Sequence, residues 1–83
     1  MKKLVLWQGR SREQVFAIER EMAIEILRSI DQYLSTGFGD VKRLRPPRTE
    51  LRLRFEDYRV FFVSHGPRSI EVLAVKHRSE AYR

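Results

Sequence analysis

Seven side chains in the second half of this 83-residue chain are the ones best suited to work on a phosphodiester: Arg52, Arg54, Arg59, Lys76, His77, Arg78 and Tyr82. Such a set supports RNA cleavage without a metal ion. The ribose 2′-hydroxyl attacks the adjacent phosphorus, and the protein must hold that attack in line, neutralise the phosphorane and help the 5′-oxygen leave. Arginines serve the second task, and a tyrosine ring stacks on a splayed base and orders the nucleotide. Arginine does not surrender its proton, so the general base falls to His77 or Lys76.

Other chemistries find less support. The chain has no cysteine, which excludes disulfides and thiolate zinc sites, and its two histidines have no third strong ligand nearby, so neither a metal nor another cofactor is expected. Ser64-His65 reads as a turn with no orienting carboxylate that spacing identifies, and Glu56-Asp57 reads as a hairpin turn facing no obvious mate. Apolar runs stay far short of the ~20 residues of a spanning helix, and Gln8 interrupts the N-terminal run too early for a signal peptide. The expectation is a soluble cytoplasmic protein, with residues 1–83 forming a single domain.

Net charge narrows the partners further. The chain carries +6, and all of it lies beyond Asp40: residues 1–40 hold six basic and six acidic side chains, residues 41–83 eleven and five. Nine of those eleven are arginines, whose planar charged fork suits phosphate and stacks on bases. Nucleic acid is therefore the first partner to expect. Besides the chemical set, Lys42, Arg43, Arg45, Arg48, Arg52 and Arg83 are assigned to RNA or ribosome contact.

The elements that must position these residues follow from pattern. Lys3 to Trp7 suits a first strand, either at an edge of the sheet or filling it. Ser11 stands three residues before Gln14, the capping-box spacing, so a helix is expected from about Arg12. Val15, Ile18, Met22, Ile26, Ile30 and Leu34 keep a helical period as far as Gly37, which is placed to end the helix. One helix over 12–36 would run about 37 Å, too long for a body whose radius of gyration should be roughly 12 Å. A bend near Glu19 to Glu21, giving a helical hairpin, is expected.

Val41 to Arg48 contains Pro46-Pro47 and reads as a loop whose basic side chains touch phosphate. Thr49 to Phe55, Tyr58 to Ser64 and Ser69 to Lys76 read as three strands joined by short turns, an antiparallel meander. Alternation places Arg52 and Arg54 opposite Leu51, Leu53 and Phe55, and hairpin geometry brings Arg59 to the same side. The fold class is α+β: an N-terminal strand, a helical hairpin, then a twisted antiparallel sheet of three to four strands.

The segments Gly39-Asp40-Val41-Lys42-Arg43-Leu44, Leu51-Arg52-Leu53-Arg54-Phe55-Glu56-Asp57-Tyr58-Arg59-Val60 and Ile70 to Arg83, ending Lys76-His77-Arg78-Ser79-Glu80-Ala81-Tyr82-Arg83, together resemble the RelE/ParE toxin superfamily of type II toxin–antitoxin systems. The resemblance implies a β-α-α-β-β-β fold. It also implies a toxin that cuts messenger RNA in the ribosomal A site by metal-free 2′-hydroxyl attack, inhibits translation and is neutralised by a cognate antitoxin. On that resemblance Arg52 and Arg54 stand where RelE-like toxins carry lysines serving as base and phosphate contact. Arg59 matches the transition-state arginine, Lys76 or Arg78 the residue assisting the leaving group, and Tyr82 the stacking tyrosine. With arginine at both lysine positions, His77 or Lys76 is the substitute base. The alternative that the resemblance leaves is a non-nuclease member of the fold, either a ParE-like DNA gyrase inhibitor or an inactive antitoxin-binding relic.

Overall fold

In a computed structural model, residues 3–81 are described, in the order β1 (Leu4–Trp7), α1 (Ser11–Phe16), α2 (Arg20–Thr36), β2 (Asp40–Arg43), β3 (Leu51–Phe55), β4 (Tyr58–Ser64), β5 (Ser69–His77) and α3 (Arg78–Ala81). The strands form one sheet in the order β1-β5-β4-β3-β2. β1 pairs parallel to β5 and every other pair is antiparallel, so the sheet is mixed and five-stranded rather than an antiparallel sheet of three or four.

The extra strand comes from the segment read as a loop. Val41 faces inward and pairs with Leu53, while Lys42 faces outward and pairs with Arg52. The prolines lie three residues beyond the end of β2, and an edge strand needs partners along one side only, so they block nothing. Only the remainder of the basic segment is irregular.

β1 and β2 sit at opposite edges, and the two helices carry the chain from one edge to the other. A helix of 17 residues spans about 25 Å, enough to cross five strands spaced ~4.8 Å apart. Ala23, Ile26, Ile30 and Leu34 of α2 are buried against Leu53, Val60, Phe62, Ile70, Val72 and Val75 of the sheet. The break between helices falls at residues 17–19. There the Glu19 carboxylate accepts the Glu21 and Met22 backbone N–H groups at 3.2 and 3.1 Å, so Glu19 caps α2. Gly37 ends α2 in the left-handed region at φ 77°, its N–H donating to the Tyr33 carbonyl.

Ser11 and Gln14 do not form a capping box. β1 stops at Trp7, leaving the outer edge of β5 uncovered beyond Val72, and buried backbone groups there need partners. The Ser11 hydroxyl donates to the Val72 carbonyl at 3.1 Å, and the Gln14 side-chain carbonyl accepts the Val75 N–H at 2.8 Å. α1 thus takes over from β1 as the cover of β5.

A bulge in β5 decides which side chains reach which face. Phe61 pairs with Ala74 but Phe62 pairs with Val72, so Leu73 is an extra residue. Ile70 and Val72 face the helices, and after the bulge Val75 does so as well. The alternation is reversed, and Lys76 emerges on the face away from α1 and α2 while His77 turns toward them.

Candidate functional site

One row of side chains crosses four strands on the face away from the two long helices. Asp40 of β2 pairs with Arg54 of β3, Arg54 with Arg59 of β4, and Arg59 with Lys76 of β5. Strand spacing alone sets these three cations side by side over about 10 Å. The next row runs Lys42, Arg52, Phe61 and Ala74. The expected grouping of Arg52, Arg54 and Arg59 on one face is observed, and the bulge adds Lys76.

The members differ in freedom. Arg59 is 8% exposed; its Nη1 donates to the Glu56 and Tyr58 carbonyls at 2.9 and 3.0 Å, and its buried Nε has no hydrogen-bond partner. A buried guanidinium N–H left open beside two other cations is a ready donor to an anion. Lys76 is exposed and has no ion pair among the described residues. Asp40 is a residue to which sequence reasoning gave no role. Its carboxylate lies 3.2 Å from Arg52 Nη2 and 3.9 Å from Arg54 Nε, holding both guanidinium groups over the sheet. The signal for it was available in the alternation of Asp40-Val41-Lys42, once that segment is read as a strand.

The loop between β2 and β3 contributes Arg48, whose guanidinium lies 5.8 Å from the centre of the Phe61 ring and forms an ion pair with Glu50 at 2.8 Å. The Arg48 hydrogen bond holds the Glu50 carboxyl below its ordinary value, more than offsetting the opposing effect of partial burial. Of the other predicted contacts, Lys42 shares the outer face, Arg45 is exposed in the loop, and Arg43 alternates to the opposite side from Lys42 at the sheet edge.

His77 and Arg78 do not join the row. His77 pairs with Tyr58 on the helix side, its ring edge-on to the tyrosine at a centroid distance of 5.4 Å. Its Nδ1 accepts the Ser79 backbone N–H at 3.2 Å and lies 2.9 Å from the Ser79 hydroxyl, which ties it to the start of α3. Arg78 sits over the β3–β4 turn, its backbone N–H donating to the Asp57 carbonyl at 2.7 Å and its Nε 3.6 Å from the Asp57 carboxylate. Tyr82 and Arg83 lie outside the described residues. Among those described, no three His, Asp or Glu side chains gather as a metal-binding group, and no helix is long and apolar enough to cross a membrane.

Comparison with known proteins agrees with this architecture. Residues 5–82 match the family model described as the ParE toxin of type II toxin–antitoxin systems, parDE. The fold is similar to that in the archaeal RelE–RelB complex from Pyrococcus horikoshii OT3, with 22% identity, a TM-score of 0.73 and coverage of 98% of this chain and 100% of that one. It is also similar to the RelB–RelE antitoxin–toxin complex from Methanococcus jannaschii, with 17% identity, a TM-score of 0.73 and coverage of 93% and 94%. The toxin–antitoxin complex RelBE2 from Mycobacterium tuberculosis gives 15% identity, a TM-score of 0.67 and coverage of 94% and 100%. A search of curated protein sequences returned no match.

Proposed function

This chain belongs to the ParE toxin family of type II toxin–antitoxin systems, and from the cationic row on its sheet we propose that its toxicity comes from cutting messenger RNA in the A site of the translating ribosome, in the cytoplasm. The observation that carries this reading is the registered row Arg54, Arg59 and Lys76. Arg54 and Arg59 hold the non-bridging oxygens of the scissile phosphate and neutralise the phosphorane. Arg52, kept upright by Asp40, and Lys42, Arg45 and Arg48 hold the flanking strand. Lys76 is the one side chain of that row able to deliver a proton, and it protonates the departing 5′-oxygen as the 2′-oxygen, whose own proton passes to solvent water, closes a cyclic phosphate. Tyr82 stacks on the substrate base. His77, on the far side of the sheet, is assigned to holding α3.

The structural neighbours are complexes with antitoxins, and by that likeness a cognate antitoxin is the protein partner of this chain. Cleavage mapping by primer extension on a translated messenger tests the reading. Growth arrest without cuts would move it to the gyrase-inhibiting branch or, with no arrest, to an antitoxin-binding relic.

A further inference from the structure

Phe61 is an aromatic side chain on the wrong side of the sheet for the hydrophobic core. Its neighbours Val60 and Phe62 join the cluster beneath the helices, whereas Phe61 alternates to the cationic face, between Arg52 and Ala74. It is nonetheless only 4% exposed. Part of its cover is the Arg48 guanidinium, itself a half-exposed group at the tip of a loop and tethered to Glu50 of the same loop.

We infer that Phe61 and Arg48 form a base-stacking subsite for a single-stranded nucleotide, beside the phosphate-binding row. Phe61 lies two residues along β4 from Arg59, a step of about 6.7 Å on one face. That separation suits a nucleotide whose phosphate rests on Arg59 and whose base turns toward Phe61. The base replaces one π-face contact with another: the guanidinium moves off the ring, the base enters, and Arg48 either stacks above it or takes the next phosphate. Because stacking needs only a π-face, the subsite tolerates any base.

This inference rests on the reading of the face as an RNA-binding surface, and one experiment separates the two. The free chain is titrated against a six-nucleotide RNA blocked from cleavage by 2′-O-methyl groups, with either 2-aminopurine or an abasic sugar at the central position. The expected result is about tenfold tighter binding of the base-bearing oligomer, with quenching of 2-aminopurine fluorescence. Phe61→Leu should remove both the preference and the quenching while the salt dependence persists, and Phe61→Tyr should restore them, which distinguishes stacking from a folding defect. Equal binding of the two oligomers by the wild type would overturn the subsite and leave the RNA-binding face standing. Failure of both oligomers to bind would overturn the face and the subsite together.

Discussion

Lys76→Ala isolates the electrostatics of the cationic row with little disturbance to the fold. Lys76 is exposed and unpaired among the described residues, so its truncation should change stability by no more than about 0.5 kcal/mol. Each phosphate neutralised on a single strand contributes about −0.7 to the slope of log affinity against log salt. The row's three cations, Arg54, Arg59 and Lys76, contribute about −2.1 to the slope and two contribute about −1.4, while Lys42, Arg45, Arg48 and Arg52 add the same amount to both proteins. Between 50 and 200 mM salt the row's share of the loss in affinity for a short single-stranded RNA should be about eighteenfold in the wild type and only about sevenfold in Lys76→Ala. The control is Arg28→Ala, which lowers the net charge equally but removes a side chain on α2 that is 73% exposed and paired with Glu25. Fluorescence anisotropy across a salt series reads all three proteins. A slope unchanged in Lys76→Ala, or reduced as much in Arg28→Ala, would refute the localisation of binding to this row and leave only diffuse attraction by the +6 chain.

Two further outcomes follow from the supporting structure. Gln14→Ala leaves the Val75 N–H without its side-chain acceptor and should cost about 1–3 kcal/mol by urea unfolding; Ser11→Ala should cost less, since the Val72 carbonyl also accepts the Gln8 N–H. The Glu50 carboxyl is held below its ordinary value of 4.5 by Arg48, so its contribution to stability is complete above that value and is lost as pH falls through the lower folded-state value. The stability difference between wild type and Glu50→Gln should therefore be constant near neutrality and shrink on acidification below pH 4.5, in unfolding curves taken across that range; a difference that persists in full to about pH 3 would contradict the assignment.

Much of this architecture is legible in the residues themselves. The three long strands, their turns, the helix stop at Gly37 and the shared face of Arg52, Arg54 and Arg59 all follow from local pattern, because period and turn chemistry are properties of a few neighbouring residues. β2 was hidden by Pro46-Pro47, which rule out a central strand but say nothing against an edge strand ending three residues earlier. The Ser11 and Gln14 spacing was misleading for a different reason. Their polar atoms are drawn to the open edge of β5, and that edge exists only once β1 has paired and stopped.

The bulge at Leu73 had the largest consequence. Strict alternation along Ile70-Glu71-Val72-Leu73-Ala74-Val75 fails at the uninterrupted apolar run, and that failure was the available sign of an extra residue. It exchanges the faces of Lys76 and His77, and so determines which of the two stands beside Arg59. The parallel pairing of β1 with β5 is a long-range choice that no local pattern encodes.

Primer extension on a defined messenger in a reconstituted translation reaction tests the proposed activity most directly, with wild type, Arg59→Ala and a tube lacking ribosomes run side by side. The account predicts cuts at the A-site codon that require ribosomes and disappear in Arg59→Ala. Intact messenger in every tube, from a protein that still arrests growth in cells, would contradict it.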